Sequence, residues 1–285
     1  STRGHVKCEK LLIFYKISAG KPNGESEIKN MTRLFTEQII AEEIDTYIFS
    51  GEEAKYLADV LRMRPGETVM LCDGARTDFT CRITDITKDH VAVVFDAREP
   101  NSTEPPYEAV LYQALVKGDK MDLIIQKGVE LGVSKIIPVA CSRSIVRIDA
   151  KDADKKTARW QKIAEEAARQ CGRGRIPTVG QPVSFAAAVA QAGSGSDLVF
   201  LPWEGEKSCP LSSVLDSWAE TVSPKQGNHP VISFFIGPEG GFDPKEIDIA
   251  DKAGVKTVTL GRRILRTETA GLAVLSMLIY RLERL

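Results

Sequence analysis

The spacing of apolar positions changes character partway along the chain, and the change divides it. Thr46 to Phe49 alternates as a strand does. Ser50 followed three residues later by Glu53 predicts a capping box opening a helix to about Arg62, where Pro65 and Gly66 stop it. Glu67 to Cys72, Phe79 to Ile86 and His90 to Phe95 are short runs of strand character, with Asp73 and Gly74 supplying the first turn. From Asp96 to Tyr107 the chain turns polar and carries Pro100, Pro105 and Pro106, a composition that resists helix and sheet and predicts an interdomain linker. Beyond it, apolar runs at Ala109 to Leu115, Lys135 to Ala140, Leu198 to Pro202, Val231 to Ile236 and Thr257 to Leu260 alternate with stretches of helical period. Those helices cover Met121 to Leu131, closed by Gly132; a long stretch around Ala153 to Cys171; one opened by Asp243, Pro244 and Glu246; and Thr267 to Leu282.

Alternation of this kind predicts an α/β fold with a mainly parallel sheet flanked by helices, preceded by a small β-barrel. The expected division is a barrel over 31–98, a linker over 99–107 and an α/β domain over 108–285. Residues 1–30 lack turn-bounded periodicity, whereas a strand-like opening follows Met31, so 1–30 is expected to be a non-native or disordered leader. The apolar face of the last helix, Leu272 through Leu275, Leu278 and Ile279, is read as core or dimer packing.

Composition narrows the function classes. With 43% hydrophobic and 27% charged residues over 285 positions, the chain is of ordinary globular make-up. No apolar run approaches the roughly 20 residues that cross a bilayer, and a cytoplasmic, membrane-free protein is expected. The 6 cysteines are scattered and only 3 histidines accompany them, which predicts reduced thiols and no metal site. Lys and Arg total 38 against 39 Asp and Glu, so any nucleic-acid-binding face must be local. The stretch from Lys155 to Arg175 is the best such candidate, with a solvated helix face as the alternative.

In an open parallel sheet, ligands bind beyond the carboxyl ends of the strands, which directs attention to the loops after Ile236 and Leu260. The first reads Gly237, Pro238, Glu239, Gly240, Gly241, Phe242; its glycines let a ligand approach the backbone, or simply make a tight βα turn. It is neither a Gly-x-Gly-x-x-Gly nor a Walker A loop, which removes the main support for a nucleotide-using enzyme. The second, Gly261 to Ala270, sets Arg262, Arg263 and Arg266 beside Ile264 and Leu265. That arrangement suits anion or RNA contact, although Arg266 and Glu268 can also pair with each other.

Both loops, in this order, resemble the signature of the uridine-N3 16S ribosomal RNA methyltransferase family (RsmE type) of the SPOUT superfamily. Further matches are Val60, Leu61 and Arg62 with Pro65 and Gly66; Asp73 with Gly74; Gln126, Lys127, Gly128 with Glu130, Leu131, Gly132; Trp160 to Ile163; and Gln170 to Arg173. The chain departs from the pattern at Trp203 and Glu204. The resemblance implies a trefoil-knotted α/β domain behind a PUA-like RNA-binding barrel, acting as a homodimer on 16S rRNA of the small ribosomal subunit with S-adenosylmethionine (SAM) and no metal. It places the cofactor against Leu201, Gly237, Pro238, Glu239, Gly240, Gly241, Leu260, Gly261, Ile264, Leu265, Arg266 and Ala270. Uridine N3 carries a weakly acidic proton, so Arg266 is the candidate for stabilising charge on the uracil oxygens and Glu268 the candidate base. Arg62, Arg64, Arg143, Arg173 and Arg175 are candidate phosphate contacts. The alternatives are another SPOUT methyltransferase, acting on a ribose 2'-hydroxyl or a different base, and a non-catalytic RNA-binding assembly factor.

Overall fold

A computed structural model describes residues 31–36, 40–41, 43–74, 77–221 and 229–283, and the expected leader at 1–30 lies outside them. The amino-terminal part is a five-stranded sheet in the order β1-β3-β4-β5-β2. Its strands are β1 (Arg33–Phe35), β2 (Thr46–Ser50), β3 (Thr68–Cys72), β4 (Thr77–Ile86) and β5 (His90–Pro100). Alternate residues point inward, so Val69, Leu71, Phe79, Cys81, Ile83, Val91 and Val93 share one core with Leu34, Phe49 and Leu57. The edge strands meet through side chains: Tyr47 Oη on β2 donates to Thr36 Oγ1, just past β1, at 3.2 Å.

Two local expectations are corrected here. The Ser50 capping box does not form, because Gly51, the first helical residue, takes a left-handed φ of 60° and Ser50 makes no side-chain cap bond. The helix α1 (Gly51–Lys55) is a short stretch that continues as a π-helical turn over Tyr56–Val60. The proline-bearing stretch is not loop from Asp96 either. β5 runs on to Pro100, pairing Thr80 with Ala97 and Thr77 with Pro100, while Arg82 bonds Asp96 at 2.8 Å. Pro100, at the end of the strand, occupies a position where a missing N–H is tolerated.

The linker that follows is tied down by side chains. Asn101 donates to Asp78 Oδ2 at 2.8 Å and accepts from Thr103 N and Oγ1. Glu104 accepts from Arg173 Nε and Nη2 at 3.1 and 2.6 Å and from the Gly174 amide at 3.2 Å. A Cβ on Gly132 would lie 2.8 Å from Pro105, so the linker packs directly on the turn after the first helix of the next region.

That region alternates as predicted: β6 (Glu108–Ala114), α2 (Lys120–Glu130), β7 (Val133–Ala140), α3 (Ala150–Cys171), β8 (Thr178–Val179), β9 (Val183–Ser184), α4 (Phe185–Gly195), β10 (Leu198–Pro202), α5 (Leu211–Thr221), β11 (Val231–Ile236), α6 (Pro244–Lys252), β12 (Lys256–Val258) and α7 (Thr267–Leu282). The sheet order is β12-β10-β11-β6-β7-β8, with β9 also on β7 and every pair parallel. Both faces are covered, as a parallel sheet requires. Leu111, Phe200, Phe234 and Ile136 join the core under α2, α3, α5 and α7, while their neighbours Tyr112, Leu201, Phe235 and Ile137 face α4 and α6. The predicted capping box of α6 forms, with Asp243 Oδ1 accepting from Lys245 N and Glu246 Oε2 from Asp243 N. Among the described residues no helix is long and apolar enough to cross a membrane, and no metal-ligand cluster is found.

Candidate active site

The carboxyl ends of β10, β11 and β12 open into a cleft of about 710 Å³, counting the space continuous with solvent. Ile236, Gly237, Pro238, Gly241 and Phe242 form one side. Thr259 to Leu265 form another, and Pro202, Trp203, Glu204 and Lys207 close the third. Glycine is required at two points. A Cβ on Gly237 would sit 3.1 Å from the Phe242 ring, and Gly241 has a φ of 68° with the Glu204 carboxylate 2.7 Å from where a Cβ would lie.

Long-range bonds hold these loops together. Trp203 N bonds Val258 O at 3.0 Å, Leu211 N bonds Thr259 O at 3.1 Å and Thr259 N bonds Cys209 O at 2.8 Å, so segment 203–211 straps the end of β12. Within that strap Glu206 Oε1 accepts from Ser208 Oγ, Ser208 N and Cys209 N. Those bonds, led by the Ser208 hydroxyl, hold its carboxyl down at about 2. Beneath the cleft Thr267 Oγ1 donates to Gly237 O at 2.7 Å and accepts from Gln113 Nε2 at 3.0 Å. Gln113 is fully buried, and its Oε1 has no partner among the described residues.

The structure brings eight of the expected cofactor residues to the cleft: Gly237, Pro238, Gly241, Leu260, Gly261, Ile264, Leu265 and Ala270. Leu201 is not among the residues that line the cleft. Its side chain is 0% exposed in the core under α4 and α6, and the strand alternation turns the next residue, Pro202, toward the cleft. Glu239 and Gly240 are not among the lining residues: Gly240 O accepts from Arg143 Nη1 at 3.1 Å, and Glu239 Oε1 accepts from Lys120 Nζ at 3.1 Å. Arg266 caps α7 from an exposed position. It does not pair with Glu268, whose neighbour is Lys120 at 3.3 Å. The hydrogen bond to Glu239 is the main reason the Lys120 ammonium titrates above its ordinary range.

Of the arginines, Arg62 and Arg64 are exposed on the barrel, and Arg62 holds a left-handed φ of 53° that costs about 1–3 kcal/mol for such a residue. Arg143 lies 3.6 Å from Asp243, and Arg175 bonds Glu108 at 2.6 Å while staying half-exposed. Arg173 is a correction. It is 3% exposed, and besides the two bonds to Glu104 its Nη1 donates to Val129 O and Val133 O, so four of its five N–H donors are used inside the fold. On α3 Lys155, Arg159, Lys162 and Arg169 are exposed; Arg159 pairs with Asp122, and Arg169 lies over the Tyr56 ring. Sequence reasoning noted Trp203 and Glu204 only as a departure from the family pattern and Thr267 only as the start of the last helix, and it missed Lys207 and Lys120. Lys120 carries no local motif, because its acids arrive from distant segments.

Residues 103–279 match the model of an RNA methyltransferase domain, and residues 49–96 that of an RNA methyltransferase PUA domain. The chain is 36% identical over 245 residues to ribosomal RNA small subunit methyltransferase E of Bacillus subtilis, covering 86% of this chain and 93% of that protein. It is 32% identical over 239 residues to the Synechocystis protein of the same name, covering 84% and 74%. Among solved structures it is similar to ribosomal RNA small subunit methyltransferase E from Neisseria gonorrhoeae bound to S-adenosyl methionine, at 33% identity and a TM-score of 0.72 over 88% of this chain and 97% of that one. A Legionella pneumophila methyltransferase in complex with SAM aligns at 31% identity and a TM-score of 0.71, with the same coverage of both chains.

Proposed function

The chain belongs to the ribosomal RNA small subunit methyltransferase E family, and we propose that it uses SAM to methylate N3 of a uridine in 16S ribosomal RNA. The observation that carries the reading is the cleft itself: two glycine-bearing loops at the carboxyl ends of β10 to β12, with apolar walls and exposed backbone edges between them.

The residues present suit the cofactor. Ile236, Phe242, Leu260 and Leu265 offer an apolar slot for an adenine ring, and the glycine loops present N–H and C=O groups to its edge. Glu204 and Lys207 place opposite charges on one wall, matching the cationic and anionic groups of a methionine moiety. When bound, the cofactor supplies a methyl group already activated on a sulfonium. The chain's own residues then align the uracil, exclude water and handle one proton. Glu268 takes the proton from N3, and Arg266 meets the negative charge that spreads onto the uracil oxygens.

RNA contact is assigned to Arg62 and Arg64 on the barrel, and to Arg143 and Arg175 on the α/β domain, with the domains divided at the linker 99–107. Supporting a SPOUT-type trefoil knot, the strap 203–211 and the glycine loop flank the segment that leads from β12 back to α7. Tyr280 and Met277, exposed on α7, support a homodimer, and a small-ribosomal-subunit substrate supports action in the cytoplasm.

The test is methylation of small ribosomal subunits from a strain lacking the enzyme, with modified nucleosides mapped by mass spectrometry. The expected product is 3-methyluridine. A methyl group on a ribose or another base overturns the N3 assignment.

A further inference from the structure

Lys120, the first residue of α2, stands between two acids from distant parts of the chain. Its Nζ lies 3.1 Å from Glu239 Oε1 in the glycine loop and 3.3 Å from Glu268 Oε2 in the first turn of α7. An ammonium carries three N–H donors. Two face these acids, the side chain is 29% exposed, and it has no third partner among the described residues. Glu268 Oε2 is enclosed, and the Lys120 ammonium faces it at ion-pair distance without an aligned hydrogen bond. A carboxylate oxygen held this way has lone pairs left to accept a ligand N–H, and Glu268 follows directly on Thr267, which lines the cleft.

Resting on the uridine-N3 reading above, we propose that Lys120 and Glu268 form the pair that reads the uracil edge, with Glu268 Oε2 accepting N3–H and the spare Lys120 N–H donating to carbonyl O4. Uracil presents acceptor, donor and acceptor along that edge. Cytosine puts an amino group in place of O4 and leaves N3 unprotonated, so both contacts would set like against like. The same pair balances the chemistry. The N3–H bond breaks, its proton passes to Glu268 Oε2, and the electron pair left on N3 bonds the methyl carbon as the carbon–sulfur bond breaks and its pair goes to the sulfonium sulfur. Lys120 meets the negative charge drawn onto O4.

The experiment compares binding of the full chain, in the presence of demethylated cofactor, to small ribosomal subunits carrying either the target uridine or a cytidine in its place. The target is first mapped from the parent's product. The parent is expected to prefer uridine by about tenfold or more. Lys120→Met and Glu268→Gln are each expected to cut the preference to less than about threefold, with Lys120→Arg retaining most of it. An unchanged preference in Lys120→Met and Glu268→Gln proteins that bind cofactor as the parent does overturns the proposal. If Lys120→Met fails to fold by circular dichroism, Glu268→Gln and Lys120→Arg decide alone: loss in the first with retention in the second supports the pair, and parent-like preference in the first overturns it. A parent product methylated anywhere but uridine N3 overturns the functional reading itself, whatever the variants do.

Discussion

The linker joint and the cleft are both built from polar residues brought together over long sequence distances, yet they differ in how those residues are satisfied. At the joint Glu104 and Arg173, each with a side chain only 4% exposed, bond one another twice, Glu104 also accepts from the Gly174 amide, and Arg173 donates to Val129 O and Val133 O. Beside the cleft Gln113 Oε1 is buried without a hydrogen-bond partner, Glu268 Oε2 has the Lys120 ammonium at ion-pair distance, and glycines leave the backbone of the loops uncovered. Asp78 Oδ1, beside the Asn101 bond, is likewise buried without a hydrogen-bond partner among the described residues, so the contrast holds for the Glu104–Arg173 pair and not for every group at the joint.

That contrast breaks most readily at the joint. Glu104→Ala strands the Arg173 guanidinium in the interior and is expected to cost about 3–5 kcal/mol in denaturant unfolding, while the protein that remains folded binds SAM normally. Lost cofactor affinity in that folded fraction would erase the distinction. Thr267→Val comes next. It removes the donor to Gly237 O and the acceptor of Gln113 Nε2, for about 1–3 kcal/mol of stability together with weaker cofactor binding by calorimetry. Gly241→Val sharpens the cleft's side of the comparison. Left-handed strain of about 1–2 kcal/mol leaves the fold standing, but cofactor affinity is expected to fall at least about tenfold. The smallest effect is acid sensitivity of the strap. The Glu206 carboxyl is held below its ordinary 4.5, at about 2, so its contribution is complete above 4.5 and disappears as pH falls through 2. Trp203 fluorescence is expected to change over that window, and Glu206→Gln to remove the transition.

What the sequence made legible follows the reach of each interaction. The α6 cap was readable because Asp243, Pro244 and Glu246 act on one another within a single turn. Thr267 to Leu282 was readable from its period alone. The Ser50 motif misled because Gly51 overrides it with a backbone conformation that no side-chain pattern encodes. β5 was cut short because Asp96 to Pro100 is polar, and only its pairing with Thr77 to Thr80 makes it strand. The glycine loops were found as motifs. Arg173 was misassigned because Glu104 sits 69 residues away, and Lys120 was missed because its acids are at 239 and 268. Charge in a sequence says nothing of whether a partner has already claimed it.

The bond from Thr267 to Gly237 also has a consequence in time. A ribosome making this chain completes β5 at Pro100 roughly 170 residues before it reaches Thr267, an interval of about 8 to 33 seconds at ordinary elongation rates. Throughout that interval the residues of the amino-terminal sheet are all present and those of the cleft are not, since the wall from Thr259 to Leu265 and the hydroxyl beneath it have not been made. SAM can therefore offer the nascent chain no stabilisation until the final helix has been made.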